Sequence, residues 1–389
     1  MARSSSHPAG RKRTGKRRTL KIFLVGLAVL LLLLVLNAFA LDRETGSASL
    51  NVDGAKLVST TSGDIQVLDT GEPVTTDPSA PDPLPVVLIH GSGGAINWWD
   101  DLIPLISPTN RTIAVDMLGY GGSSKPDSGY SMTNQANLIA QVLSKLGTGP
   151  AIIVGHSLGG NVATALAEQS PALVAGVTII DDAPSRDYGG LGGTAKLARM
   201  PLIGQALWRI SPDFMVRKSI EQAFAPGFPV ADKYVEDINE MTYTAYKDSY
   251  TEGTDFTAES PLNTRLTAVG KPLLVIFGEE DQIFPARESI SAYAAIPGVQ
   301  TMLIPGVGHS PQVEAPQKTA IAILDFANGV AESLEPPPAP KPEPKPKKNK
   351  QQGQNKKKNG QSGKQGQGNQ QNQQQQKSGQ DKQKAAAAN

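Results

Sequence analysis

The sequence predicts an α/β protein with a mostly parallel central sheet and helices on both faces. Short apolar runs rich in β-branched residues, such as Pro85–Ile89, Ala151–Val154 and Val174–Ile180, alternate with segments of helical periodicity such as Thr133–Leu146. Strands joined through helices pair in parallel and are covered on both sides of the sheet. Ligands of such sheets bind at the carboxyl ends of the strands, so functional residues are expected there.

The elements follow one another along the chain with few ambiguities. Leu50–Ser59 and Asp64–Leu68 predict an opening hairpin with Ser62-Gly63 in its turn. Apolar residues recur on one face of the predicted helices, for example Leu138, Ile139 and Val142. The remaining predicted elements are the strand Pro85–Ile89, a helix over Trp98–Ile106, the strand Thr112–Met117, the helix Thr133–Leu146, the strand Ala151–Val154, the helix Asn161–Gln169, the strand Val174–Ile180, a strand from Lys271 and the strand Thr301–Ile304.

One segment, residues 183–261, breaks this alternation. It contains no convincing strand, and Leu197–Ile210 and Tyr234–Tyr246 are apolar helical pieces. We therefore expect a helical insertion between two strands of the sheet.

The most informative motif is Gly155-His156-Ser157-Leu158-Gly159, which stands between a predicted strand and a predicted helix. A serine on such a sharp turn projects its hydroxyl from the backbone, and glycines flank it because a Cβ would clash. A serine hydroxyl is a weak nucleophile until a base takes its proton. The motif therefore predicts a histidine and a carboxylate later in the chain, in the order Ser, Asp or Glu, His.

The best candidate for the base is His309. The chain has four histidines. His7 lies in a basic segment, His90 precedes the serine within its own glycine-rich turn, and His156 is the neighbour of Ser157 on a turn where adjacent side chains diverge. His309 follows the last predicted strand, where the ordered arrangement places the base.

The best candidate for the carboxylate is Asp281, in the turn after the apolar strand that begins at Lys271. Bonded to one imidazole nitrogen, it would fix the tautomer and stabilise the imidazolium. Glu279 and Glu280 are neighbouring alternatives, and Asp181 and Asp182 after the strand Val174–Ile180 are a second alternative.

Donors for an oxyanion are expected from Ser92 and Leu158. Ser92 lies in the glycine-rich turn after Pro85–Ile89, and the Leu158 N–H follows the nucleophile; Gly93 is the alternative to Ser92. The turn lacks the Gly-x-Gly-x-x-Gly and Gly-Lys-Ser/Thr patterns of nucleotide sites. No metal or cofactor motif is found in the sequence.

Together these segments resemble the α/β-hydrolase fold superfamily over about Leu50–Leu334. The resemblance implies Ser157 as nucleophile, Asp281 as acid and His309 as base, in a catalytic domain spanning 46–334 whose insertion at 183–261 is a cap. Dehalogenases and epoxide hydrolases of this fold carry Asp at the position of Ser157, which argues against both. The matching motifs are His90–Gly94, Asp116–Pro126, Gly155–Gly160, Gly278–Pro285 and Gly308-His309.

Charge is strongly segregated although the net charge is +1. Residues 1–21 carry eight Lys and Arg and no acid, and residues 341–389 carry twelve Lys and two acids, which leaves 17 basic and 34 acidic residues for the body. A body of that sign repels nucleic acid, so no nucleic-acid partner is expected. The chain has no cysteine, which excludes thiol nucleophiles and sulfur-rich metal sites.

The N-terminal region predicts a membrane anchor. Residues 22–41 are almost entirely apolar and long enough to cross a hydrocarbon core of about 30 Å as a helix. The basic segment 1–21 stays in the cytoplasm, so the catalytic domain is expected outside the cell membrane. The alternative is a cleaved signal peptide and a secreted enzyme, because Ala38-Phe39-Ala40 has the form of a cleavage site.

The C-terminal residues 335–389 are expected to be a disordered tail. Proline-rich sequence at its start is typical of a stiff spacer, and the Lys-, Gln- and Asn-rich remainder lacks the apolar residues of a core. Its charge is suited to anionic envelope polymers or lipid headgroups, and a solvated tail without a partner is the alternative.

Taken together, these features favour a serine hydrolase that cleaves carboxylic esters of apolar acyl groups, with a small-molecule or lipid ester as substrate and no cofactor. Hydrolysis of carbon–carbon bonds, amides or thioesters, and acyl transfer to another hydroxyl, would use the same triad. A binding protein of the same fold without chemistry is a third hypothesis.

Overall fold

The computed structural model describes residues 12–73, 82–190 and 197–334. Its centre is an eight-stranded sheet in the order β1-β2-β4-β3-β5-β6-β7-β8. The first hairpin and the β2–β4 pair are antiparallel, and all pairs from β4 through β3 to β8 are parallel, as predicted. The strands are β1 Lys56–Thr60, β2 Gly63–Asp69, β3 Val86–Ile89, β4 Thr112–Val115, β5 Ala151–His156, β6 Val174–Ile180, β7 Leu273–Gly278 and β8 Gln300–Ile304.

Helices cover both faces of this sheet, so the central strands are buried at every position. In β5, for example, Ile153 packs into one buried cluster and Ile152 and Val154 into the other. The helices are α1 Lys12–Leu41, α2 Ile103–Ile106, α3 Met132–Lys145, α4 Leu158–Gln169, α5 Ile203–Ile210, α6 Asp213–Ile220, α7 Asp232–Asn239, α8 Tyr243–Glu259, α9 Leu262–Val269, α10 Ala286–Tyr293, α11 Pro311–Glu314 and α12 Pro316–Leu334.

The prediction of one continuous helix over Trp98–Ile106 is wrong. The chain instead forms a 3₁₀ turn at Ile96–Trp99 and the single-turn helix α2. Pro104 lies within the predicted span. Because proline has no N–H, a helix tolerates it only in its first turn.

Between β6 and β7 the described residues form helices and turns, which matches the predicted insertion; residues 191–196 lie outside the described part. The predicted helix Leu197–Ile210 is interrupted: Leu197 and Ala198 are helical, and a continuous helix begins again at Ile203, after Pro201 and a left-handed Leu202. The predicted helix Tyr234–Tyr246 is divided into α7, which ends at Asn239, and α8, whose N-cap Thr242 accepts the Ala245 N–H at 3.2 Å.

The predicted anchor forms the continuous helix α1. Its segment Arg17–Leu41 spans 25 residues and is long and apolar enough to cross a membrane. Most of its large side chains are exposed, including Ile22, Phe23 and Leu33 at 66%, 66% and 57%. Part of the basic segment (1–11) and the predicted tail 335–389 lie outside the described residues.

Candidate active site

Ser157 stands at the sharp turn between β5 and α4. Its φ of 49° is in the left-handed region, which is unusual for a residue with a side chain. The flanking glycines are required by close approach: a Cβ on Gly155 would lie 2.3 Å from the Gly159 carbonyl, and a Cβ on Gly159 would lie 2.3 Å from the Ile89 carbonyl. The motif therefore holds a strained serine at the carboxyl end of the sheet.

His309 and Asp281 form a buried pair. The Nδ1 of His309 is 2.8 Å from Oδ2 of Asp281, and the two side chains are only 3% and 0% exposed. The other oxygen of Asp281 accepts the N–H groups of Ile283 and Phe284 at 2.7 and 3.1 Å. These bonds fix the carboxylate, which accepts the Nδ1–H and leaves Nε2 as the basic nitrogen of the imidazole.

Ser157 and His309 line one large cavity of about 1440 Å³ between the sheet and the helical insertion. Across the described residues, the Ser157 hydroxyl forms no hydrogen bond. The structure thus assembles the acid–base pair and presents the hydroxyl to the same space.

The other candidate carboxylates take different places. Glu279 forms an ion pair with Arg287, and Glu280 is exposed. Asp182 is 3% exposed and burial raises its pKa well above the ordinary value. None of these three accepts a hydrogen bond from His309.

Asp181 is different because it lies beside the pair. Its Oδ1 accepts the Gly278 N–H at 3.0 Å, and its backbone has a φ of 45°. Burial, together with the nearby Asp281 carboxylate, raises the pKa of Asp181 well above its ordinary value. A protonated Asp181 can donate to Asp281, so the second alternative of the sequence lies next to Asp281 rather than in its place.

Among the described residues, Asp181, Asp281 and His309 also lie close enough together to hold a metal ion. One atom each of Asp181, Asp281 and His309 lies within 4.8 Å of the others. Because Asp281 and the Nδ1 of His309 are already bonded to each other, the arrangement is that of a hydrogen-bonded acid–base pair with a third carboxyl.

The predicted oxyanion donors also reach this cavity. Ser92 and Leu158 both line it. Gly91 allows this loop to approach Ser157, since a Cβ there would lie 3.1 Å from the Cβ of Ser157. The loop is held by His90, whose Nδ1–H donates to the Gly91 carbonyl at 2.8 Å while Nε2 accepts the Met117 N–H at 3.1 Å. Burial lowers the pKa of His90 to about 4, so it is neutral and serves as a structural residue.

Sequence reasoning missed the role of His156. Its Nε2–H donates to the backbone carbonyl of His309 at 2.7 Å, and burial lowers its pKa well below the ordinary value. The side chain of His156 supports the loop that carries His309. Its position beside the serine was the available signal.

Glu314 was also missed. Its carboxylate accepts the N–H groups of Gly308 and Ser310 at 3.0 and 3.1 Å, and that of Ala225 at 2.8 Å. It therefore ties both sides of His309 to the helical insertion. Only its position five residues after His309 distinguished it in the sequence.

Asp237 joins the insertion to the loop after β3. Asp237 in α7 accepts the Nδ2–H of Asn97 at 2.8 Å and the Nε1–H of Trp98 at 3.0 Å. The Trp98 ring in turn stacks on His156 with centroids 6.0 Å apart. Burial raises the pKa of Asp237 to about 7. The insertion is thus linked to the catalytic loops through buried polar groups.

Comparison with known proteins places this geometry among hydrolases. The profile of the α/β hydrolase fold matches residues 85–316. A pimeloyl-[acyl-carrier protein] methyl ester esterase of Edwardsiella ictaluri is 27% identical over 63% of this chain and 93% of its own length. A 2-hydroxymuconate semialdehyde hydrolase of Pseudomonas sp. (strain CF600) is 28% identical over 62% of this chain and 86% of its own.

Among solved structures, a thermophilic esterase from Thermogutta terrifontis is 26% identical, with a TM-score of 0.56, over 71% of this chain and 99% of its own. Residues 85–316, which the family profile matches, contain strands β3 to β8, Ser157, Asp281 and His309.

Proposed function

Because the chain belongs to the α/β hydrolase fold family, we propose that it is a serine hydrolase that cleaves carboxylic esters of apolar acyl groups. The observation that carries the proposal is the buried His309–Asp281 bond of 2.8 Å at the cavity that Ser157 also lines. An imidazole held in one tautomer and a strained serine that face the same cavity support activation of the hydroxyl by the imidazole.

In the proposed mechanism, the Ser157 oxygen attacks the ester carbonyl while Nε2 of His309 takes its proton. The Asp281 carboxylate stabilises the imidazolium. The N–H groups of Ser92 and Leu158 hold the oxyanion of the tetrahedral intermediate. His309 then gives its proton to the departing alcohol, and an acyl-enzyme remains on Ser157. Water activated by His309 releases the acid and restores the serine.

The cavity supports an apolar acyl group. Its wall includes the side chains of Trp98, Leu207, Trp208, Phe228 and Ile283. A volume of about 1440 Å³ exceeds the roughly 300–1,000 Å³ typical of small-ligand sites, so a long chain can be accommodated.

The same triad supports a second reaction, hydrolysis of a carbon–carbon bond, which the likeness to 2-hydroxymuconate semialdehyde hydrolase favours. Amide or thioester hydrolysis and acyl transfer share its steps, since only the leaving group or the second acceptor differs. Product analysis with water and a polyol in competition separates transfer from hydrolysis.

We further propose that α1 anchors the enzyme in the cell membrane with its catalytic domain on the extracytoplasmic side. The length and apolar surface of Arg17–Leu41 support the anchor, and the Lys and Arg residues of 1–21 support the orientation. A secreted form after signal cleavage is the alternative.

The test is covalent labelling and ester hydrolysis by the full-length chain. A fluorophosphonate is expected to label the protein at Ser157, and p-nitrophenyl esters of increasing chain length are expected to be hydrolysed. Ser157→Ala is expected to lose the label and about 10⁴-fold or more of the activity. A folded protein that neither reacts with the probe nor hydrolyses any ester would be a binding protein of this fold.

A further inference from the structure

The end of α1 packs directly against the helical insertion. Ala38 and Leu41 are only 7% and 2% exposed, in contrast to the rest of α1. The carbonyl of Leu41 accepts the hydroxyl of Thr244 at 3.3 Å, Asn37 accepts the Nε–H of Arg209 at 3.1 Å, and Asp42 accepts an N–H of Gln205 at 3.2 Å. Helix α5 is therefore fixed beside the last two turns of α1.

This contact sets the depth of α5 relative to a membrane. A hydrocarbon core of about 30 Å corresponds to about 20 helical residues at 1.5 Å per residue. If the core begins after Lys21, it ends near Leu41, and Asn37 lies about 6 Å below that boundary. Because Arg209 of α5 contacts Asn37, α5 must lie in contact with the lipid.

The surface of the insertion at this place is apolar. Outside α1, eleven large apolar side chains of the described residues are exposed, and six of them fall between residues 197 and 215. Six exposed apolar side chains grouped in one short segment favour an interaction site, whereas single exposed side chains do not. We call these six residues the apolar edge: Leu197 at 42%, Met200 at 47%, Ile203 at 43%, Ile210 at 73%, Phe214 at 72% and Met215 at 47% exposure.

The charge of the same segment differs from that of the rest of the body. Residues 197–218 contain four basic residues and one acid, whereas the body as a whole has twice as many acids as bases. Apolar side chains among basic residues are typical of helices that lie in the membrane interface. Basic residues at that level also fit anionic lipid headgroups.

The apolar edge is continuous with the active-site cavity. Leu197, Phe214 and Met215 belong to the edge and also line the cavity that contains Ser157 and His309. Because these side chains are exposed and also line the cavity, they stand at a mouth of the cavity.

We propose that the apolar edge lies in the outer leaflet of the membrane that α1 spans, and that the cavity opens there to lipid. The substrate is then a membrane lipid ester, whose acyl chain passes from the bilayer between Phe214 and Met215 to Ser157 without crossing water. This inference rests on the proposed ester hydrolysis and names its substrate class.

The placement is tested with labels on the full-length chain in nanodiscs of phosphatidylcholine and phosphatidylglycerol. Because the chain has no cysteine, Ile210→Cys, Phe214→Cys and Ile321→Cys each give one site for an environment-sensitive dye. Ile321, 60% exposed on α12 of the sheet layer, is the matched control. Labels at 210 and 214 are expected to be blue-shifted and quenched by spin-labelled lipid. Quenching by aqueous iodide as strong as at 321 would overturn the placement.

The substrate class is tested with two esters. Ile203→Gln combined with Ile210→Gln changes edge residues that do not line the cavity. Hydrolysis of a fluorogenic diacyl lipid within the nanodisc is expected to fall about tenfold, since less apolar surface anchors the edge, while hydrolysis of p-nitrophenyl butyrate is unchanged. The control Ile321→Gln is expected to change neither.

Equal loss of both activities in the double variant, or loss of neither, would overturn delivery from the bilayer. A wild-type enzyme that hydrolyses neither ester would reject the proposed function instead, and the dye measurements would still decide where the apolar edge lies.

Discussion

The Nε2–H of His156 donates a 2.7 Å hydrogen bond to the backbone carbonyl of His309, so the residue beside the proposed nucleophile supports the loop of the proposed base. The two rings lie 5.1 Å apart. Movement of the turn at Ser157 is thereby coupled to the position of the imidazole, across 153 residues of sequence.

We expect His156→Ala to lower kcat for ester hydrolysis about 100-fold with little change in KM, since displacement of a base by about 1 Å costs that much. His156→Gln, whose amide can reach the same carbonyl, is expected to recover most of the loss. Steady-state kinetics of both variants measure this. An alanine variant with wild-type kcat, or a glutamine variant no better than alanine, would show that the bond does not position His309.

Asp181 is expected to act as a neutral donor toward Asp281. Its Oδ1 accepts the Gly278 N–H at 3.0 Å, and burial beside the Asp281 carboxylate raises its pKa, which favours the protonated form. Asn has the shape and hydrogen-bonding pattern of the protonated acid, so Asp181→Asn is expected to keep kcat/KM within about twofold, whereas Asp181→Leu is expected to lose about 1–3 kcal/mol of stability.

The expected neutrality of Asp181 is tested by comparing the pH–rate profiles of Asp181→Asn and Asp181→Leu with that of the wild-type enzyme. A large loss of activity in Asp181→Asn, with its fold intact, would mean that a charged carboxylate is required at this position.

Asp237 is expected to make stability depend on pH. Its pKa is raised by burial from 3.8 to about 7, so between these values the folded state binds more protons than the unfolded state. Stability from this group is therefore present below about pH 4 and is lost as the pH rises through about 7.

Thermal unfolding from pH 4 to 8 tests the contribution of Asp237. Other buried carboxylates act in the same direction, so the comparison is with Asp237→Asn, whose unfolding temperature is expected to fall less steeply over this range. Parallel curves for the two proteins would contradict the assignment.

The glycines of the turn at Ser157 are expected to be indispensable for packing. A Cβ on Gly159 would lie 2.3 Å from the Ile89 carbonyl, so Gly159→Ala is expected to cost about 3 kcal/mol of unfolding free energy. A Cβ added to Gly329 in α12 would have no atom within 4 Å. Gly329→Ala is therefore expected to raise the free energy of unfolding by about 1 kcal/mol. Denaturant titration of both variants measures the contrast; equal effects would refute it.

Much of the fold was predictable because the central strands are short, mostly apolar and rich in β-branched residues. Val174–Ile180 was predicted to the residue. The helices of the insertion were predicted less well, since Pro201, Leu202 and Thr242 set boundaries that apolar periodicity does not record. The helix predicted over Trp98–Ile106 was wrong for a similar reason, because apolar periodicity does not take account of the break set by Pro104.

The sequence by itself determined the local features of this protein: the buried strands, the glycine-flanked turn at Ser157 and the apolar helix α1. These depend on neighbouring residues, whose spacing and shape are written in the chain. Only the tertiary structure decided which carboxylate meets His309, that His156 supports it, and that α1 touches the insertion. Asp281 and His309 are 28 residues apart, and their meeting depends on the parallel register of β7 and β8, which no local pattern contains.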